Sequence, residues 1–273
     1  MAHFTIDGTK CKKDRLCVME CPMKIIAMKS KDDLPEPVKG AESICINCGH
    51  CVAVCPTGAF SLNTMTAEEC EEIKPDWNPG DKVIENYMKA RRSVRKYTKA
   101  PVEKDKLQHL IEIAAYAPSG HNSRPVNWTV ISERENVKEI VSIVIDWMKN
   151  MLSENPAMGK MFHFDMITKA WDMGVDTVTH NAPALIMVHG KKTDPMASQA
   201  CTIALAHLEL AAPSLGLGCC WGGFVTWCNM MWKPLREKLN LPEGEVLFGT
   251  MITGYPMFKY YRVPKREAVI NWK

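Results

Sequence analysis

Apolar positions fall into two regimes along the chain. From residue 81 onward they recur at helical and strand periods. Leu107, Leu110, Ile111, Ala114 and Ala115 stand at i, i+3, i+4, i+7 and i+8, one stripe of an amphipathic helix that stops at Pro118. Residues 137–151 and 164–178 read as further helices, and residues 126–132, 184–189 and 246–253 as strands, so the two kinds of element interleave. Residues 200–212 are apolar on nearly every side, with His207 and Glu209 as exceptions. That predicts a helix buried all round, by a fold core or a second subunit, with His207 a satisfied core or interface histidine. Before residue 63 the pattern is different. Short β-rich pieces at residues 3–6, 25–28 and 59–62 lie between cysteine-bearing turns, with too little apolar area to build a core unaided. Thr66 with Glu69 can cap a short helix over 66–74, its acidic residues Glu68, Glu69, Glu71 and Glu72 forming a solvated face, before Pro75, Pro79 and Gly80 break the chain. The expected organisation is a small domain at 1–62, a linker at 63–80 and a larger domain at 81–273.

Composition sharpens this division. A chain of 273 residues has room for about two domains. Lys and Arg number 34 against 31 Asp and Glu, a net charge of +3, so no global basic field argues for nucleic acid or an anionic membrane. No run approaches the ~18 uninterrupted apolar residues of a membrane span. Of the 12 cysteines, eight precede residue 71, whereas all 8 tryptophans lie at Trp77 or later. The opening MAHFTIDGTK lacks an apolar signal core, so a cytoplasmic location is expected and a secretory disulfide framework is not. Dense cysteine in that setting points to metal or redox chemistry.

Cys45, Cys48, Cys51 and Cys55-Pro56 form an unbroken C-x2-C-x2-C-x3-C-P run. This is the bacterial ferredoxin arrangement, in which three thiolates of a tight loop hold one iron-sulfur cluster and the fourth, turned away by the proline, ligates another. Zinc sites instead pair two C-x2-C hooks across a longer spacer. The run repeats an earlier one at a spacing of 34 residues, from Cys21-Pro22 to Cys55-Pro56, which marks an internal duplication. Counting back from Cys21 gives Cys17, Asp14 and Cys11. Cluster II, a [4Fe-4S] centre, is therefore expected on Cys45, Cys48, Cys51 and Cys21, and cluster I on Cys11, Cys17 and Cys55 with Asp14 in the remaining position. A carboxylate is a harder and weaker iron ligand than thiolate, so the fourth iron of a [4Fe-4S] cluster I would be labile. The alternative leaves Asp14 as a turn residue beside a permanent [3Fe-4S] centre. His50 reads as a solvent-facing modulator rather than a ligand. Residues 1–62 resemble a two-cluster ferredoxin domain.

The larger domain carries four motifs: ARRSVRKY at 90–97, APSGHNSRP at 117–125, LGLGCCWGGF at 215–224, and GYP at 254–256 with YRVP at 261–264. Their combination and order resemble the nitroreductase family of FMN-dependent oxidoreductases over essentially all of residues 81–273. The resemblance implies an α+β chain: a small ferredoxin-like iron-sulfur domain followed by a nitroreductase-like α/β FMN domain. A flavin phosphate needs fixed cations, and bidentate arginine suits it. By the resemblance Arg91 and Arg262 bind the phosphate and Ser93 and Arg95 lie near the ribityl chain and pyrimidine edge, with Arg92 a further candidate. Pro118, Ser119, Gly120 and Asn122 match a loop that reaches the flavin of the partner subunit. Trp221, Gly222 and Gly223 match the segment packed on the ring, where an amide, that of Gly223, faces flavin N5. A middle flavin contact falls within residues 174–181. Where many family members read Asn-x-Gln-Pro-Trp, this chain has Asn122-Ser123-Arg124-Pro125-Val126, which leaves substrate preference open. Adjacent Cys219 and Cys220 read as packing residues rather than a redox pair, and Cys70, Cys201 and Cys228 as buried free thiols.

No separate dinucleotide fold is expected, since Gly216-x-Gly218 is followed by Trp221 where G-x-G-x-x-G needs its third glycine. The resulting expectation is a homodimeric FMN oxidoreductase in which iron-sulfur clusters exchange electrons with FMN. NAD(P)H or reduced ferredoxin would serve as donor and a small nitroaromatic, quinone or activated alkene as acceptor. Flavin N5, rather than any side chain, would be the reactive centre. The alternative is an electron-transfer or redox-sensing module without a dedicated small substrate; an open pocket lined by His121, Arg124 and Trp221 would favour the enzyme.

Overall fold

The computed structural model describes residues 3–273. It divides into two compact units, one running to Pro79 and including His121–Ser123, the other formed by Gly80–Gly120 and Arg124–Lys273.

The first unit contains β1 (Phe4–Ile6), α1 (Leu16–Glu20), β2 (Ile26–Ala27), β3 (Glu36–Pro37), α2 (Ala41–Ile44), α3 (His50–Ala53) and β4 (Phe60–Leu62). Antiparallel β1 and β4 set Phe4 opposite Leu62, so the two ends of the duplicated piece meet, and the Phe4 and Phe60 rings lie 4.5 Å apart. Phe4, Ile25, Ile26, Val52, Phe60 and Leu62 share their core with Cys17, Cys21 and Cys51. With elements this short, the cysteines are part of the core.

The second unit contains α4 (Asp81–Ala90), α5 (Lys104–Ala114), β5 (Asn127–Ile131), α6 (Arg134–Glu154), α7 (Pro156–Met161), α8 (Phe164–Asp172), β6 (Ala184–Lys191), α9 (Ala197–Ala211), β7 (Gly218–Trp221), α10 (Gly223–Met231), α11 (Lys233–Leu239) and β8 (Glu245–Gly254). Its antiparallel sheet runs in the order β5-β6-β8-β7. Strand β6 is apolar through most of its length because helices cover both of its faces. Leu185 and Met187 pack with residues of α6, α8 and α10, while Ala184, Ile186 and Val188 pack with α5 and α9. The same alternation splits Cys219 from Cys220, one to each core.

Backbone hydrogen bonds join three of the sequence motifs. Val94 N–H donates to Cys219 O (2.8 Å), Thr98 N–H to Tyr255 O (2.9 Å) and Met257 N–H to Lys96 O (2.9 Å). Val94 and Tyr97 are buried anchors of this segment. It lies so close to β7 that a Cβ on Gly218 would meet Val94 Cγ2 at 2.5 Å.

Three expectations need correction. No helix forms over 66–74; residues 67–70 make only a turn. Thr66 N–H does donate to Glu69 Oε2 (2.7 Å), half of the anticipated capping box. Without an apolar face to pack, so short a helix does not propagate past its costly nucleus. The helix expected over 164–178 stops at Asp172, and Gly174 turns the chain at φ +81°. The carboxylate of buried Asp176 then organises the loop, accepting from the N–H groups of Val178, Thr179 and Asn181 at 2.8 Å each. Cys70, expected to be a buried thiol, is only half-buried, its Sγ donating to Thr66 O (3.3 Å). The core of one chain covers only part of α9, which leaves a second subunit as the expected cover for the rest. Thr202 and His207 are exposed, and His207 Nδ1 lies 3.0 Å from Ile203 O, one turn back.

Candidate functional site

In the first unit, the turns before and after α1 and α3 gather the cysteines into two pockets. One is lined by Cys11, Asp14, Cys17 and Cys55, with Lys12 and Arg15 beside them. The other is lined by Cys21, Cys45, Cys48 and Cys51, with His3, whose Nε2 is buried and unpaired. Each pocket holds one complete expected ligand set, without mixing. Burial pushes the Cys17 thiol up to about 11, with Cys11, Cys55 and Asp14 adding to the effect. Burial likewise pushes Cys51 up to about 12, with Cys48 and Cys21 adding. Crowded, buried thiols lose their protons to solvent readily only when a bound cation takes the protons' place, as iron would here. At Cys55 burial is outweighed by hydrogen bonds from Thr57, Ala59 and Phe60, which hold the thiol below its ordinary range. Among the described residues, no three His, Cys, Asp or Glu side chains are placed to hold a metal ion. Each quartet instead lines a pocket of its own. Asp14 Oδ1 also accepts from Leu16 N–H (3.1 Å), and exposed His50 pairs through Nδ1 with Glu20 Oε1 (2.9 Å).

In the second unit, Arg91 follows the last turn of α4 and Trp221 ends β7. Arg91 Nη1 donates to Glu209 Oε1 (2.8 Å), and Trp221 Nε1 donates to Glu209 Oε2 (3.1 Å). The Glu209 side chain is only 10% exposed, while Trp221 is 42% exposed. Arg92 and Ser93 are half-buried and Arg95 is exposed. Burial raises the Cys220 thiol, an effect tempered by the nearby Arg95 and Arg91 guanidinium groups. Burial lowers His180 in the middle segment, with Asp176 opposing and Arg95 and Lys96 reinforcing the shift. Gly222 N–H donates to Thr250 O (2.8 Å), and Gly223 opens α10. Gly223 is exposed, and a Cβ there would meet nothing within 4 Å. The open space, the first-turn amides of α10, the exposed indole and the Arg91 guanidinium, with one nitrogen engaged, together suit a flat ring carrying an anionic tail.

The other expected flavin contacts have different surroundings. Ser119 Oγ accepts from Arg124 N–H (3.0 Å), and a Cβ on Gly120 would meet Met196 Sδ at 2.7 Å; Pro118 is exposed. Asn122, within the first unit, donates its amide to Ile46 O (3.1 Å) and Asn47 O (2.9 Å). Arg262 is exposed in the stretch after β8, where residues 259–273 form no helix or strand. Sequence reasoning missed Glu209. The signal was present, since a single acid on an otherwise apolar helix must be paired if it is buried, but it was grouped with His207 as an exception. The structure separates the two: His207 faces solvent and Glu209 the interior.

A small cysteine-cored unit followed by a helix-covered antiparallel sheet with these motifs defines a class, the iron-sulfur flavoproteins. Residues 88–255 match the nitroreductase family and residues 9–59 the 4Fe-4S dicluster domain. A candidate NADH dehydrogenase/NAD(P)H nitroreductase of Archaeoglobus fulgidus is 29% identical over 174 residues, 61% of this chain and 81% of the relative. An iodotyrosine deiodinase of Thermotoga neapolitana is 23% identical over 191 residues, 70% of this chain and 98% of the relative. The solved structure of a nitroreductase with bound FMN from Bacteroides fragilis shares the fold at TM-score 0.57 and 24% identity, over 70% of this chain and 100% of that one. The chain belongs to the nitroreductase family and is an FMN-dependent oxidoreductase with an N-terminal ferredoxin-like 4Fe-4S domain. Among the described residues, no helix is long and apolar enough to cross a membrane.

Proposed function

We propose that the chain takes electrons through two iron-sulfur clusters and FMN to a small organic acceptor: a nitroaromatic, quinone or activated alkene. The observation that carries this reading is the sorting of seven cysteines and Asp14 into two separate pockets within the chain that also carries the nitroreductase motifs. When bound, FMN can exchange single electrons with the clusters and an electron pair with substrate or NAD(P)H. Arg91, with Arg262 from the exposed stretch, would hold its phosphate, Ser93, Arg95 and Arg92 its chain and pyrimidine edge, and Trp221 and Gly222 its ring. The Gly223 amide, at the positive end of α10, would donate toward N5. No side-chain nucleophile is required. Pro118, Ser119 and Gly120 would serve the flavin of a second copy. Asn122, whose amide is engaged in the first unit, would instead order the loop around Cys45 and Cys48. The iron-sulfur domain would span 1–62 and the flavin domain 81–273, joined by 63–80, in a cytoplasmic setting.

Anaerobic turnover tests this reading. NAD(P)H and reduced ferredoxin should be compared as donors against the three acceptor classes, in wild type and in Cys48→Ser. Acceptor reduction with either donor is expected, with loss of the ferredoxin-driven rate in Cys48→Ser. Flavin that turns over no acceptor in wild type would favour the carrier reading instead.

Asp14 is proposed as the fourth ligand of a [4Fe-4S] cluster I, with Cys11, Cys17 and Cys55; cluster II would be [4Fe-4S] on Cys21, Cys45, Cys48 and Cys51. Mild oxidation should then give a [3Fe-4S] paramagnetic resonance signal in wild type that is absent in Asp14→Cys. Identical signals and iron content in the two proteins would make Asp14 a turn residue only.

A further inference from the structure

Glu209 is the single acidic side chain on α9. A buried carboxylate is tolerated only when it is paired and hydrogen-bonded, and both Glu209 oxygens are engaged by different elements: one by Arg91 after α4, the other by Trp221 on β7. Packing does not call for an acid here. The rest of the buried stripe of α9 is Ala197, Ala200, Cys201, Ala204, Leu205 and Leu208, and a leucine at 209 would fill space without desolvating a charge. Buried ion pairs of this kind are weak sources of stability. The carboxylate also neutralises part of the positive charge of Arg91, which by itself works against binding a phosphate dianion. What it supplies is geometry. Its two acceptors fix one guanidinium nitrogen and the indole N–H together, leaving the other guanidinium nitrogens and the exposed indole available to a ligand.

We propose that Glu209 is a positioning residue of the flavin site, clamping Arg91 and Trp221 in one mutual orientation; this rests on the reading of those two residues given above. The clamp acts through its partners, so its removal should matter only while they are present.

The test is FMN titration of the flavin-depleted full chain, followed by fluorescence and by the visible flavin band. The variants are Glu209→Gln, Arg91→Gln, the double variant and Trp221→Phe, with iron content and far-ultraviolet circular dichroism as fold controls. Glu209→Gln is expected to weaken FMN binding about tenfold and to alter the band shape. The double variant is expected to bind no more weakly than Arg91→Gln alone. Wild-type affinity and band shape in Glu209→Gln, with binding weakened in Arg91→Gln, would overturn the clamp and leave the flavin site intact. Additive losses in the double variant would overturn it as well. If neither Arg91→Gln nor Trp221→Phe changed FMN binding, the site reading itself would fall, and the clamp with it. Should Glu209→Gln not fold, Glu209→Asp carries the test: a carboxylate one methylene shorter cannot reach both partners, so weakened FMN binding that disappears in an Arg91→Gln background is expected, and wild-type affinity in Glu209→Asp counts against the clamp.

Discussion

Cys219 and Cys220 are neighbours in the chain and strangers in the fold. One packs with α5 and α9 and the other with α6 and α10, so the strand that joins them also points their sulfurs apart. Burial pushes the thiols of Cys201, Cys219 and Cys228 up to about 12 from an ordinary 9.0. A thiol that ionises less readily folded than unfolded contributes stability that is fully present below about pH 9 and is lost as pH climbs toward 12. The unfolding midpoint should therefore fall across that range, and fall less steeply in Cys228→Ala. An equal slope in the two proteins would mean that this thiol is not linked to folding. At this scale the cysteine pattern was legible because ligand spacing is local: the residues that must face one pocket lie within a few positions of each other, or one duplication away. Glu209 was not legible in the same way, because its partners are 118 and 12 residues distant and only the fold brings them together.

Periodicity located the long elements well. Helices α5 and α6 and strands β5, β6 and β8 lie where the hydrophobic pattern puts them, because each has at least one face against the core. The failures share a cause. The apolar spacing of 164–178 continues past Asp172, but Asp176 accepts three backbone hydrogen bonds and a fourth from the Thr179 hydroxyl, in a conformation no helix can match. Competition between a side chain and the helical ladder leaves no trace in a hydrophobic pattern. Close approach of elements is equally silent, and Gly218 is the clearest case. Gly218→Ala should destabilise the second unit by about 1–3 kcal/mol, since Val94 and Pro256 both crowd the new methyl group. Thermal unfolding would read this directly. FMN should dissociate more readily from the variant, because Val94 belongs to the segment that carries Arg91 and Ser93. An unchanged midpoint would show that the segment can slide away from β7 at no cost.

At the scale of the molecule, large apolar side chains stay exposed on α4 and beyond β8. Val83, Ile84 and Met88 on α4 are about half exposed, at 58%, 45% and 52%, and Tyr261 and Trp272 beyond β8 reach 79% and 89%. Every residue from Met257 to Lys273 is exposed. Scattered apolar residues need no explanation, but an entire terminal stretch with seven large aromatic or aliphatic side chains at least half exposed does. A second copy of this chain is the occupant consistent with the homodimer proposed from the sequence, and sedimentation should give a dimer at micromolar concentration. A flavin-loaded monomer there would contradict it. An arm that reaches across to a second copy, carrying Arg262, would make flavin retention depend on how much protein is present. Dilution would strip the coenzyme as it separates the chains, so a cell making few copies would hold them without flavin and inert. Expression level itself would then set a threshold for activity.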